Sequence, residues 1–462
     1  MIRPLLLREI CAALGVPVSA GHDALAFSGV STDSRTLAPG ELFVALRGER
    51  FDAHEHIAEA ERRGAVALVC SRQVDATVPV VTVDDTERAL GVIAALHRSL
   101  FSGVVVALTG SAGKTTTKEM IAAILATAGP VLATRGNLNN EIGVPLTLFR
   151  LEQAHRYAVI EMGAGKPGDI AYLAAIAKPR VALLTNALPA HLERLGSLDE
   201  VARTKGAIYE SLPEGGVAIL NADDDYAAYW GGLAGERRIV RFSAQAKAGA
   251  DVRAGRVVLA DGCAAFRLEL PGEAVDVRLS VPGVQQVANA LAAASVAHVL
   301  GVSAADIAGA LASVEAPAGR MQRRTGAGGA LLLDDTYNAN PGSVRAAIDT
   351  LAAFRGIRVL VLGNMAELGA DAALLHHAVG LHARERGIDR VFVTGPHAAD
   401  VARGFGEGAD VHATRDSLAR ALATFDVPGN VILVKGSRSA GMEAVVAALT
   451  LPAAGHARTG TH

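Results

Sequence analysis

Aromatic side chains are scarce in this 462-residue chain, at 4% with a single tryptophan. Half of the residues are nevertheless hydrophobic, so the cores must be built from Ala, Val and Leu. Cysteine is scarce too. Cys11, Cys70 and Cys263 are scattered without metal-ligand spacing, as expected of reduced, mostly buried residues in a cytosolic protein. Excess charge of either sign is missing. A net charge of −3 leaves no electrostatic footprint for nucleic acid or for an anionic membrane surface. Long apolar runs are missing as well. No window approaches a membrane span, and the short N-terminal run Leu5–Leu7 is followed at once by acidic Glu9, which argues against a signal peptide. These absences predict a soluble, cytoplasmic protein without membrane insertion.

What is present is a phosphate-type loop. The apolar run Val104–Leu108 reads as a buried strand. It leads into Thr109-Gly-Ser-Ala-Gly-Lys-Thr-Thr116, and a helical pattern follows with Ile121, Ile124 and Leu125 on one face. Glycines allow a tight turn whose successive N–H groups converge on one anion, and a helix N-terminus adds partial positive charge. Gly110, Ser111, Ala112, Gly113, Lys114, Thr115 and Thr116 are therefore expected to bind nucleotide phosphate, with Lys114 on the outer phosphates and the Thr115 hydroxyl on Mg²⁺. Leu108 stands where the common pattern has its first glycine, so the loop is a variant.

The length suggests about two to four domains. Residues 1–84 read as a small α/β unit, with a helix over Leu5–Leu14 and strands at Leu42–Leu46, Ala65–Val69 and Val80–Val83. Its loop Ser31-Thr-Asp-Ser-Arg35 could bind a sugar or phosphate through Ser31, Ser34 and Arg35, or could equally be an Asx/Ser turn. Residues 85–315 alternate apolar strands with helices, the pattern of a doubly wound, mainly parallel sheet. Arg238–Phe242, Asp251–Arg253 and Ala265–Leu270 suggest short antiparallel strands of an insertion. Residues 316–452 form a second, Rossmann-like α/β series, and 453–462 a disordered tail.

In open parallel sheets, ligands sit beyond the carboxyl ends of strands. Glu161 ends the strand Tyr157–Ile160 and is the best carboxylate for ATP-bound Mg²⁺. His191 and Lys205 are unremarkable by themselves. The amide-rich loop around Asn137, Asn139 and Asn140 could meet sugar or peptide groups, or simply turn the chain.

Taken together, Thr109-Gly-x-x-Gly-Lys-Thr-Thr116, Asp334-Asp-Thr-Tyr-Asn-Ala-Asn-Pro341, Leu362-Gly-Asn-Met-Ala-Glu-Leu-Gly369 and Val434-Lys-Gly-Ser-Arg438 resemble the Mur ligase family, on the branch that adds D-alanyl-D-alanine. The resemblance covers nearly the whole chain and accounts for Leu108. No Asp-Asn-Pro-Arg motif of the diaminopimelate- or lysine-adding relatives occurs.

The resemblance implies a small N-terminal domain for the UDP end of the substrate, a central ATP-binding domain and a C-terminal ligase domain. It implies ATP, two Mg²⁺ sites, UDP-N-acetylmuramoyl-tripeptide and D-alanyl-D-alanine as partners, and a monomer. Thr115 and Glu161 would ligate one Mg²⁺ and His191 the second, with Lys205 carbamylated to serve as an anion. Lys114, His191 and Lys205 would carry the catalysis. Asn289, Arg320 and Asp335 would hold adenine, phosphate and ribose. Asn137, Asn139, Asn140, Tyr337, Asn338, Asn340 and Lys435 would contact the peptide substrates. Departures occur at Gln285-Gln286, Gly165-Lys166, Arg194 and Ala207. The residues by themselves also admit another ligase of the same superfamily, or a nucleotide-controlled binding module that uses the loop only for affinity.

Overall fold

The computed structural model describes residues 1–48, 51–189 and 192–450. The tail beyond 450 and His191 lie outside the described residues. Among those described, no helix is long and apolar enough to cross a membrane.

The N-terminal unit is a four-stranded parallel sheet ordered Gly29–Ser31, Glu41–Val44, Ala67–Cys70, Val80–Thr82. The predicted first helix begins at Leu7, because Leu5–Leu6 instead pairs antiparallel with Ala26–Phe27. Asp85 caps the following helix, Thr86–Ser99, by accepting from the Glu87 and Arg88 amides. This satisfies two of the amides that a helix start leaves without partners.

The central sheet has nine strands, ordered Glu273–Pro282, Cys263–Leu270, Val252–Ala260, Arg238–Ser243, Val217–Asn221, Val181–Leu184, Val104–Thr109, Tyr157–Glu161, Val131–Ala133. Val104–Thr109 pairs parallel with Val181–Leu184 on one side and Tyr157–Glu161 on the other. The chain leaves this strand for one edge and returns on the other side, so the phosphate-type loop sits at a topological switch point. The expected antiparallel insertion is corrected. Arg238–Ser243 runs parallel to Val217–Asn221, and Val252–Ala260 parallel to it in turn. Cys263–Leu270 does run antiparallel, as expected of Ala265–Leu270, and Glu273–Pro282 reverses again to run with the rest of the sheet. The helix Ala227–Ala234 supplies the crossover that makes the parallel step possible.

The C-terminal sheet is ordered Gln322–Thr325, Leu331–Asp335, Val431–Lys435, Arg358–Leu362, Arg390–Thr394, Ala409–His412, with only the first strand antiparallel. Three domains of mixed α/β structure result.

With few aromatics, buried Val, Leu, Ile and Ala fill both faces of the sheets. Each fully buried Val, Leu or Ile contributes roughly 1.5–3 kcal/mol. Two of the buried aromatics, Tyr209 and Trp230, have their polar tips satisfied. Tyr209 Oη donates to the Ile219 carbonyl at 2.7 Å, and Trp230 Nε1 to the Ala202 carbonyl at 3.0 Å.

Candidate active site

The loop is built by two glycines that nothing else could replace cheaply. Gly110 lies at φ +150° with the Thr185 hydroxyl where a Cβ would go. Gly113 lies at φ +79° against the Asn289 amide. The helix Lys114–Ala126 starts directly at Gly113 and has no side-chain cap. Its first N–H groups are therefore open to an external acceptor, with the positive end of the helix behind them.

The sequence reading expected all the loop amides to face one anion. Two do not. Ser111 N donates to the Asn186 carbonyl at 3.0 Å, and Ala112 N to Asn186 Oδ1 at 2.9 Å. The Ser111 hydroxyl exchanges bonds of 3.0 Å with the Leu188 carbonyl and amide. Asn186 thus moulds the loop, a role that sequence reasoning missed although it follows the strand end Thr185. The amides of Gly113 to Thr116 remain for phosphate.

Lys114 curls over its own loop, with Nζ on the Gly110 carbonyl at 2.7 Å. Burial pushes its ammonium below the usual lysine range, opposed by the Glu161 carboxylate and reinforced by the Arg320 guanidinium. Behind the loop, Thr115 Oγ1 donates to Glu161 Oε2 at 2.9 Å, and Asn139 Nδ2 donates to Glu161 Oε1 at 2.8 Å. Register explains the first contact, because Glu161 sits opposite Leu108 on the strand beside the loop strand. A hydroxyl and a carboxylate oxygen, both hard donors next to a phosphate cradle, suit Mg²⁺.

Lys205, on the helix Leu198–Glu210 that Ser197 caps, is 1% exposed and lines the same cleft. Burial, and then the charge of Lys114, drive its ammonium well below the usual range, with Asp169 opposing them.

The cleft has a volume of about 640 Å³. Its far wall comes from the C-terminal sheet. Lys435 Nζ bonds Asp335 Oδ2 at 2.6 Å and the Asn338 carbonyl at 2.8 Å. Asp335 Oδ1 accepts from Met321 N at 3.1 Å. The Arg320 guanidinium stands 4.1 Å from the centre of the Tyr337 ring, within the range of a cation–π contact. Asn340 caps the helix Pro341–Ala352, its side chain accepting from Ser343 N. On the central side, Asn289 Nδ2 donates to Gln286 Oε1 at 2.7 Å, while Gln285 accepts from the Thr350 hydroxyl across the domain boundary at 3.2 Å. Asn140 Oδ1 accepts from Gly143 N, and Asn137 also lines the cleft.

Three predicted residues lie elsewhere. Ser31, Ser34 and Arg35 do not line this cleft. Arg35 is paired with Asp33 at 2.7 Å, and the Ser34 hydroxyl bonds Glu59 at 2.9 Å. The cleft therefore gathers the residues expected to meet nucleotide and peptide, and the N-terminal loop does not line it.

A phosphate-type loop at a switch point, faced across one cleft by a second α/β domain, is the architecture of the three-domain, nucleotide-dependent amide ligases. The chain belongs to the Mur ligase family. It matches "Mur ligase family, catalytic domain" over residues 26–98, "Mur ligase middle domain" over 108–297 and "Mur ligase, glutamate ligase domain" over 319–438. It is 47% identical over 428 residues to the UDP-N-acetylmuramoyl-tripeptide--D-alanyl-D-alanine ligase of Escherichia coli, covering 92% of this chain and 94% of that one. It is similar to the crystal structure of MurF from Acinetobacter baumannii, with TM-score 0.89 at 36% identity over 96% of this chain and 98% of that one. It is also similar to the MurF ligase of Thermotoga maritima in complex with ADP, with TM-score 0.82 at 31% identity over 91% and 96% of the two chains.

Proposed function

We infer that this protein is an ATP-dependent ligase that joins D-alanyl-D-alanine to the C-terminal carboxylate of UDP-N-acetylmuramoyl-tripeptide, a step in peptidoglycan precursor synthesis. One observation carries the assignment of chemistry to residues. Lys114, Glu161 and Lys205 converge with Asp335 and Lys435 on one cleft, with the Thr115 hydroxyl bonded to Glu161.

A carboxylate oxygen of the tripeptide attacks the γ-phosphorus of ATP. The bond from that phosphorus to the β–γ bridging oxygen breaks, and ADP leaves. The amine of D-alanyl-D-alanine then attacks the acyl carbon of the resulting acyl phosphate, loses a proton, and expels inorganic phosphate through a tetrahedral intermediate. The protein's work is positioning and charge neutralisation. Lys114 and the amides of Gly113 to Thr116 receive phosphate oxygens. Thr115 and Glu161 would hold Mg²⁺, which supplies charge compensation on the phosphates when bound. Asn289, Arg320 and Asp335 would receive the nucleoside end, and Tyr337, Asn338 and Lys435 the incoming dipeptide. Closure of the C-terminal domain would keep water from the acyl phosphate.

Lys205 is assigned as a carbamate. A buried lysine beside the Lys114 cation favours its neutral amine. That amine would add to carbon dioxide and release one proton, turning a would-be cation into a carboxylate-like group that would hold a second Mg²⁺. His191 is assigned to that same metal from its place in Pro189-Ala-His-Leu-Glu193. The protein is assigned as a monomer. Ser31, Ser34 and Arg35 are assigned to the UDP end, away from the reacting groups.

The test is ADP release with UDP-N-acetylmuramoyl-tripeptide, with and without D-alanyl-D-alanine. Sustained release only with the dipeptide is expected. Release indifferent to the dipeptide would favour a nucleotide-driven binding module instead.

A further inference from the structure

Lys118 is a buried lysine with no part in the reaction above. It is 1% exposed, one helical turn beyond Thr115. Its Nζ donates to the Thr134 carbonyl at 2.6 Å and lies 2.7 Å from Glu119 Oε1. Thr134 is the residue where the strand Val131–Ala133 gives way to the amide loop, and its hydroxyl accepts from the Glu161 amide at 3.0 Å. The Glu161 carboxylate in turn spans both elements that Lys118 joins. Oε2 accepts from Thr115 on the helix, and Oε1 from Asn139 on the loop. Helix, lysine, loop root and carboxylate form a closed ring.

Burying an ammonium is costly, and an apolar side chain would fill the same space without that cost. What the ammonium adds is a charge-assisted hydrogen bond that fixes one peptide group. That peptide group is where the loop carrying Asn139 departs, and the side-chain hydroxyl of the same Thr134 anchors the Glu161 amide. We propose that Lys118 is a positioning residue, a strut that sets the separation of the Thr115 hydroxyl and the Glu161 carboxylate for a divalent cation. The inference rests on the reading that those two groups hold Mg²⁺. Groups that orient metal ligands typically change metal affinity by about 10–100-fold when removed.

The experiment is calorimetric ADP binding to the full chain, in Mg²⁺ and in chelator, for wild type, Lys118→Met, Thr134→Val and the double variant. Lys118→Met is expected to weaken binding in Mg²⁺ by about ten-fold and to leave metal-free binding unchanged. Thr134→Val is expected to shift in the same direction by less, and the double variant to be no worse than Lys118→Met. An undiminished metal-dependent gain in Lys118→Met, or equal losses with and without metal, overturns the strut. Should Lys118→Met fail to fold, an unchanged gain in Thr134→Val overturns it instead. A wild type that gains nothing from Mg²⁺ would bring down the metal reading itself.

Discussion

Lys435 and Asp335 meet across neighbouring parallel strands, ammonium to carboxylate at 2.6 Å, with side chains only 4% and 13% exposed. Removing one member of a buried pair leaves an uncompensated charge, which costs about 3–5 kcal/mol. Lys435→Met should lose that much in urea unfolding, and adding Asp335→Asn should restore part of it. Equal stabilities of wild type and Lys435→Met would show that the pair contributes nothing net.

Gly113→Ala introduces a side chain where φ is +79° and where the Asn289 amide already sits. The backbone strain alone is about 1–2 kcal/mol, near a ten-fold change in an equilibrium constant. The clash with Asn289 should push the loop off the shape that cradles phosphate, so ADP affinity should fall by about that factor, and the strain that remains should lower the melting temperature by a few degrees. Unchanged ADP affinity would mean that the loop tolerates a side chain there.

Glu161→Ala should raise the Mg²⁺ concentration needed for half-maximal turnover or abolish turnover, since it removes the acceptor of the Thr115 hydroxyl. Lys205→Ala should abolish turnover, with recovery by short-chain carboxylic acids that occupy the missing carbamate's place. Full activity of Lys205→Ala without added acid would exclude the carbamate. In wild type, ¹³C-bicarbonate should give a carbamate resonance that is absent in Lys205→Ala.

His97 is fully buried, its Nε2 accepting from Ile2 N at 3.0 Å and its Nδ1 donating to the Leu148 carbonyl at 3.1 Å. Burial lowers its pKa from 6.5 to about 4. The unfolded chain takes up this proton near pH 6.5 and the folded protein only near pH 4, so acid in that window favours unfolding. At about 1.36 kcal/mol per pH unit, His97 should account for a loss of about 3 kcal/mol between those limits. The pH dependence of unfolding in that interval should be shallower in His97→Gln by that amount. Parallel curves for the two proteins would exclude the ring as the cause.

The phosphate loop was legible because its chemistry is local: apolar strand, Gly-Lys-Thr and helix are contiguous. The placement of Glu161 was legible because a strand-terminal acid in a parallel sheet has few places to go. The bonds that Asn186 makes to Ser111 and Ala112 were not, since they join segments far apart in sequence. The strand Arg238–Ser243 was read in the wrong direction because the crossover helix before it contains Gly231-Gly232, which looks like a break. The loop at Ser31 shows the limit of composition. Its arginine and serines make local bonds to Asp33 and Glu59, as a turn would, whatever else they do.

Lys114 and Arg320 belong to different domains, yet the Arg320 guanidinium helps to hold the Lys114 ammonium below its usual range. On the proposed assignment of Lys114, Arg320 and Asp335 to ATP, no single domain owns the nucleotide's place. A recombination that exchanged only the last third of this gene would inherit half a binding site and strand the other half, so the central and C-terminal domains must evolve as a pair.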